Sequence, residues 1–166
     1  MLVAAMNPCP CGNYPDLKKC TCTPGQIQQY LSKISQPFLD RIDICMEAPR
    51  IRYEELNTQK AEETSTDIRK RVCAARQVQT KRYQGNHLSN SMLDISGLKR
   101  YCFLDNSGER LMKMAFEKLG LTVRTYHKIL KVARTIADLD SSEQIQEKHL
   151  KEAISYRTMD KKYWGR

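Results

Sequence analysis

The stretch Leu2-Val-Ala-Ala-Met-Asn-Pro-Cys-Pro-Cys-Gly12, followed by a polar spacer and Cys20-Thr-Cys22, decides the fold of the first part of the chain. Its apolar run, Leu2 to Met6, is typical of a strand buried on both faces of a parallel sheet. Asn7 would then lie at the carboxyl end of this strand, where ligands bind in open α/β sheets and where an amide can orient a phosphate or a water. Because no turn or cap precedes the strand, we expect the complete protein to continue upstream of it.

Four cysteines follow in two close pairs, Cys9-Pro-Cys11 and Cys20-Thr-Cys22. Two thiolate pairs suit a tetrahedral metal, most often zinc. The usual zinc knuckle has the spacing C-x-x-C, so the shorter spacing leaves open a lost zinc site, ordinary thiols and, last, disulfides. The pattern favours a zinc hairpin with Cys9, Cys11, Cys20 and Cys22 as ligands.

The composition indicates a globular chain that holds one domain, or one small domain and part of another. It has 166 residues, of which 40% are hydrophobic and 28% charged. No apolar run approaches the length of a membrane span and no basic leader precedes an apolar segment, so we expect a cytoplasmic chain with no membrane partner. The seven cysteines are odd in number and partly clustered, which favours metal binding and reduced thiols over a secreted disulfide framework.

The positive charge is concentrated in the second part of the chain. The net charge is +9; residues up to Lys60 hold seven basic and six acidic side chains, and the remainder holds twenty-one and thirteen. Such an excess suits polyanions, meaning nucleic acid or nucleotide phosphates, but it also keeps a surface soluble. Composition leaves these two alternatives open.

Residues 1–52 predict the α/β part of the chain. Apolar residues recur at helical spacing from Gln26 to Ile34, and Ile42 to Met46 reads as a second strand. Arg41 stands where a proline-bounded loop enters that strand, flanked by Asp40 and Asp43. From these residues alone, Arg41 is either a surface arginine or a functional one.

Residues 64–160 predict a domain of four or five helices. The predicted helices cover 65–83, 96–103, a span from Asn106 or Ser107 to Gly120, 122–139 and 146–156. A polar segment at 53–63 is the expected linker, and 161–166 the expected frayed tail. The 65–83 helix should turn one face inward and leave the other strongly basic. The inward face has Ile68, Val72, Ala75 and Val78, and the basic face has Arg69, Lys70, Arg71, Arg76, Lys81 and Arg82.

The sequence lacks the parts of a self-contained nucleotide enzyme. No glycine belongs to a G-x-x-x-x-G-K-[ST] loop, and no apolar strand ends in paired acids for magnesium. We therefore expect this chain by itself to be inactive toward ATP.

Three stretches resemble the magnesium-chelatase-like AAA+ ATPases of the ComM type. They are Val3-Ala-Ala-Met-Asn-Pro-Cys-Pro-Cys-Gly12, Pro37-Phe-Leu-Asp-Arg-Ile-Asp-Ile44 and Thr122-Val-Arg-Thr-Tyr-His-Lys-Ile-Leu-Lys-Val-Ala-Arg-Thr-Ile-Ala-Asp-Leu139. The resemblance implies the C-terminal portion of such an ATPase, with the last strands of the nucleotide-binding core and the helical lid. The Walker A and Walker B segments would lie upstream.

The same resemblance implies roles for three residues. Asn7 matches sensor 1, which positions the attacking water and contacts nucleotide; Arg41 matches the arginine finger; Arg124 opens the helix that carries sensor 2 and would contact phosphate. Arginine suits such roles because its guanidinium keeps its charge and stabilises negative charge on a transferring phosphoryl group. One departure is Gln36, which stands where a glycine is common.

Two classes of function follow from these observations. In the first, the complete protein is a ring-shaped homo-oligomer, a hexamer, that binds ATP and magnesium and remodels DNA. In the second, the chain is a zinc-bearing helical module that binds nucleic acid or a protein partner without catalysis. Nucleotide turnover separates the two classes.

Overall fold

The computed structural model describes residues 1–48, 53, 63–84 and 89–164, and this part of the chain is mainly helical. The predicted mainly α fold class, a helical domain preceded by a four-cysteine segment, is confirmed, whereas the α/β remnant predicted around that segment has no strand among the described residues. The predicted linker at 53–63 lies almost entirely outside the described residues, as do residues 85–88 and 165–166. The helices are α1 (Pro24–Leu31), α2 (Gln36–Leu39), α3 (Ser65–Arg82), α4 (Ile95–Tyr101), α5 (Asn106–Leu119), α6 (Val123–Leu139) and α7 (Glu147–Trp164), with a 3-10 turn at Asn90–Met92.

Side-chain caps set the beginnings of the helices. Thr122 accepts a hydrogen bond from the backbone N–H of Thr125 and begins α6 where the sequence predicted it. Asp105, not the predicted Asn106 or Ser107, caps α5 by accepting from the N–H of Gly108. These caps satisfy N–H groups that the first helical turn leaves without a partner.

Helix α6 is the centre of the helical domain. It packs against α7, α3, α4 and the 3-10 turn. Ile129 and Ala133 on α6 are fully buried together with Leu150 and Ala153 of α7. This apolar face follows the predicted helical spacing, so burial of that face holds α6 in the middle of the domain.

A buried charged cluster joins α3 to α6. The Asp138 carboxylate is 1% exposed and accepts from the guanidiniums of Arg82, at 2.9 Å, and Arg134, at 3.1 Å. The Asn90 amide donates to the same carboxylate at 2.8 Å. Burial alone would raise the pKa of Asp138, but the hydrogen bonds from Arg82 and Asn90 and the charges of the two arginines together lower it. Asp138 is therefore ionised and fully partnered in the interior.

Both predicted strands are wrong. Residues 2–6 and 42–46 are irregular, and Leu2 and Val3 are 67% and 81% exposed. A strand buried on both faces needs neighbouring strands to pair its backbone groups, and the described residues contain no strand. Both segments are apolar, as a buried strand requires, but the described residues contain no strand with which they could pair.

Two details of the predicted helices also differ. Helix α3 packs on α6 through its C-terminal half, so Ala75 is buried while Ile68 and Val72 are 44% and 48% exposed. Helix α7 does not fray after residue 160 but continues to Trp164, whose indole N–H donates to the carbonyl of Leu31 at 2.9 Å. The first part of the chain thus supplies the contact that extends α7. None of the described helices is long and apolar enough to cross a bilayer.

Candidate metal centre and basic cleft

The structure brings the four predicted cysteines into one cluster. The Sγ atoms of Cys9, Cys11, Cys20 and Cys22 all lie within 4.8 Å of one another. Three of the separations are 3.4 Å (Cys9 to Cys11), 3.6 Å (Cys11 to Cys20) and 3.8 Å (Cys9 to Cys20). A tetrahedral zinc with sulfur about 2.3 Å away requires sulfurs about 3.8 Å apart, so the four thiols fit such an ion.

A tight turn and a hydrogen bond to sulfur shape this cluster. The N–H of Gly12 donates to the carbonyl of Cys9 at 3.0 Å, and Gly12 has a φ of +76°, a conformation that glycine adopts without strain. The N–H of Tyr14 points at the Cys9 sulfur from 3.4 Å. The chain therefore folds back around Cys9, whose side chain is fully buried.

The pKa values of the thiols differ because backbone N–H groups, burial and neighbouring sulfurs affect them unequally. N–H groups of Asn13 and Thr21 lower the pKa of Cys11 to about 5. The N–H of Cys11 lowers the pKa of Cys22, but burial and the Cys11 sulfur outweigh it and raise that pKa to about 12. Four thiolates this close repel one another, and a divalent cation relieves the repulsion when it displaces the remaining protons.

Asn7 lies beside this cluster rather than at the end of a strand. Its amide is next to Gly12, where an added Cβ would be 3.6 Å from the Asn7 Cγ. The side chain is exposed. The expected position at a strand terminus is thus wrong, although the amide remains available to a ligand.

Arg41 lies in the turn of residues 39–42 at the end of α2, called the Arg41 turn below. Its guanidinium donates to the carbonyl of Pro37 at 2.6 Å and is exposed. Its own backbone carbonyl accepts from the Nζ of Lys128 on α6, and the same Nζ pairs with the Asp43 carboxylate at 2.7 Å. Arg41 is therefore an exposed arginine, and its turn is bound to α6.

Arg41 and Arg124 line one open cleft of about 560 Å³. The remaining lining comes from one face of the first turns of α6. It consists of Val123, His127, Lys128 and Lys131. The lining residues of this cleft include cations but no carboxylate, and the beginning of α6 adds the partial positive charge of a helix N-terminus. This arrangement suits a polyphosphate; Asn7 is not among the lining residues.

Two family models match the chain. The model described as magnesium chelatase, subunit ChlI, matches residues 1–56, and the model of the ChlI C-terminal part matches residues 62–157. The chain belongs to the magnesium chelatase ChlI family. The four-cysteine segment and the Arg41 turn fall in the first match, and α3 to α6 fall in the second.

Proteins from several bacteria are similar to the chain over most of its length. Competence protein ComM of Haemophilus influenzae is 44% identical over 159 residues, which is 95% of this chain and 30% of ComM. The protein YifB of Escherichia coli is 42% identical over 161 residues, 96% of this chain and 31% of YifB. The protein Rv2897c of Mycobacterium tuberculosis is 34% identical over 140 residues, 83% of this chain and 27% of that protein. The chain thus spans a little less than a third of the length of these relatives.

Lys128 and Lys131 were missed as residues of the cleft by reasoning from sequence. Their signal was nevertheless present, since Arg124, Lys128 and Lys131 are spaced at i, i+4 and i+7 on one face of a helix. The contribution of Arg41 to the same cleft comes from tertiary structure, which no local pattern encodes.

Proposed function

We propose that this chain is the C-terminal part of an AAA+ ATPase that uses ATP hydrolysis to remodel DNA. The observation that carries the proposal is that Arg41 and Arg124 line one basic cleft. Arginines in such a position stabilise the charge that spreads over a phosphoryl group during transfer. Membership of the magnesium chelatase ChlI family supports the assignment.

We further propose that the two arginines serve the nucleotide of a neighbouring subunit, whereas Asn7 serves the nucleotide of its own. Arg41 acts as the arginine finger, Arg124 as sensor 2 and Asn7 as sensor 1. Asn7 does not line the cleft, and this supports the division. A single nucleotide would otherwise have to contact both Asn7 and the two arginines. The active assembly is then a homo-oligomeric ring, a hexamer, completed by the N-terminal part of the same protein.

The described cleft fits the phosphates of ATP but offers no ligand for magnesium. Its cations match a polyphosphate, whereas magnesium prefers carboxylate oxygens and water. We therefore propose that the magnesium ligands come from Walker segments of the complete protein. When ATP and magnesium are bound, the ion neutralises phosphate charge and orients the leaving group. The arginines would bind the phosphates and stabilise the negative charge that develops on them.

DNA is the proposed substrate because the helical domain carries an exposed basic surface. On α3, Arg69, Lys70, Arg71, Arg76 and Lys81 are exposed. Arg82, which the sequence placed with them, is instead only partly exposed and pairs with Asp138. Contacts of such cations with phosphates give affinity without sequence preference. We also propose a cytoplasmic location for the protein.

ATP hydrolysis by the complete protein tests this function. We expect turnover that duplex DNA stimulates at low salt and stimulates less at physiological salt, because raising the salt concentration weakens phosphate contacts. This chain alone should show no turnover and serves as the control. An intact assembly that binds ATP but never hydrolyses it would favour the alternative, a zinc-bearing module that binds nucleic acid or protein. The cysteine cluster is the observation that favours this alternative.

We also propose that Cys9, Cys11, Cys20 and Cys22 bind one structural zinc. Protein purified without chelator should contain close to one zinc per chain by elemental analysis. The combined change Cys9→Ser and Cys11→Ser should bring the zinc content near zero, because two ligands cannot hold a structural ion.

Cys73→Ser is the matched control, since Cys73 is exposed on α3 and outside the cluster. This variant should keep its zinc. Wild-type protein that is free of metal, with a thermal unfolding curve unchanged by added zinc, would contradict the assignment.

A further inference from the structure

Arg157 on α7 is a buried arginine whose guanidinium is turned toward the Arg41 turn. It is 3% exposed, and its Nη1 donates to the carbonyl of Ile42 at 2.7 Å. Its Nη2 donates to the carbonyl of Leu39 at 3.3 Å. These two carbonyls enclose Arg41 in the sequence, one on each side. A single planar guanidinium therefore contacts the backbone on both sides of Arg41.

Lys128 holds the same turn from α6. Its ammonium donates to the Arg41 carbonyl and pairs with Asp43. The turn is thus bound by cations from two helices of the helical domain. Within the turn, the N–H of Arg41 donates a hydrogen bond to the carbonyl of Phe38 at 2.9 Å, and the N–H of Ile42 donates to the carbonyl of Leu39 at 3.0 Å. The bonds from α6 and α7 attach the turn to the helical domain.

We propose that Arg157, assisted by Lys128, is a positioning residue that makes the Arg41 turn move as one body with the helical domain. This inference rests on the proposed role of Arg41 as a finger. Any movement of the domain would then advance or withdraw the guanidinium at the neighbouring nucleotide. Arg157 touches no nucleotide itself and acts only through Arg41.

The planar fork of arginine is what this position requires. Its separate N–H groups reach two carbonyls at once, whereas the ammonium of lysine is a point charge on a flexible stem. Arg157→Lys keeps the charge in the same surroundings and removes the fork. Lys128→Gln weakens the attachment from the other side without altering the core. Lys151→Gln is the matched control, because Lys151 lies on α7 but is exposed and pairs with Glu147.

Hydrogen exchange on this chain tests the attachment without any assumption about ATP. In Arg157→Lys and in Lys128→Gln, the amides of Arg41 and Ile42 should exchange about tenfold faster or more, the scale of a lost charge-assisted hydrogen bond. Amides of the α6 core, such as that of Ala133, should keep their protection, and Lys151→Gln should change none of these rates. Unchanged protection of the turn in both variants would overturn the inference.

Turnover by the complete protein tests the coupling to Arg41. Arg157→Lys should lower kcat about tenfold with an unchanged KM for ATP, since it misplaces a group that acts in the transition state. In an Arg41→Ala background, Arg157→Lys should cause no further loss of kcat. If Arg157→Lys instead damaged the structure in general, the losses of kcat from the two substitutions would multiply. Multiplied losses would overturn the inference. Normal ATP turnover by Arg41→Ala itself would show that Arg41 is not an arginine finger. The hydrogen-exchange result would still show whether Arg157 and Lys128 attach the turn to the helical domain.

Discussion

If the complete protein is the proposed ATPase, replacing Arg41 with alanine is expected to cut its ATP turnover by about 10³-fold or more, the scale of a lost arginine finger. The exposed guanidinium lies at the edge of a cleft that Arg124 and Lys128 also line. Nucleotide binding should remain largely intact, because a finger stabilises charge that develops only during transfer. Steady-state turnover and the equilibrium binding of a nucleotide, measured on the same preparation, check both parts.

Arg100→Ala provides the matched control for this change. Arg100 is an exposed arginine on α4, near the ring of Tyr101 and outside the cleft, so its loss should leave turnover normal. Mixing Arg41→Ala subunits with subunits defective in Walker A should recover part of the activity if the finger acts on the neighbouring subunit. Mixed oligomers that form but stay inactive, or normal turnover by Arg41→Ala alone, would contradict the assignment.

The helical domain could be predicted from sequence because its signals are local. The apolar spacing of α6 puts Ile129 and Ala133 on one face, and Thr122 marks its beginning. Gly120 has a φ of +55° and ends α5, as a glycine at a helix terminus indicates. Caps and periodicity act within a few residues, so the order and type of these helices could be predicted before the structure was known.

The strands and the end of α7 could not be predicted because they depend on partners far away in the sequence. The run Leu2 to Met6 has a strand's composition, but composition does not supply the adjacent strands that a sheet requires. The last turns of α7 are polar and looked frayed. They are held by contacts with the first part of the chain, such as that of Tyr163 with the Glu47 carboxylate at 2.9 Å.

The candidate sites divide in the same way. The spacing of the cysteines alone identified all four members of the cluster, because two close cysteine pairs on one short segment can bend around one point. Arg41 and Arg124 became candidates only through a family resemblance. That they share a cleft depends on the packing of the Arg41 turn against α6. Arg157 carries no sequence signal at all, since a buried arginine in a polar helix cannot be distinguished from an exposed one by pattern.

Replacing Asp138 with alanine is expected to destabilise this chain by about 3–5 kcal/mol, the cost of removing one partner from a buried ion pair. The change leaves the guanidiniums of Arg82 and Arg134 without the carboxylate that both contact, and it frees one donor of the Asn90 amide. A loss of this size is a large share of the stability of a small domain. Chemical denaturation at neutral pH, followed by circular dichroism, measures the difference.

The pH dependence of that difference distinguishes a charged Asp138 from a merely well-packed one. Because the folded protein lowers the pKa of Asp138 below its ordinary value of about 3.9, ionisation stabilises the fold above that pH. The contribution is lost as the pH falls through the lowered pKa. The gap between wild type and Asp138→Ala should therefore be constant near neutral pH and shrink below about pH 4. Glu147→Ala removes an exposed pair with Lys151 and should cost much less. A gap that does not change with acid, or one no larger than that of Glu147→Ala, would show that the buried carboxylate is not what joins α3 to α6.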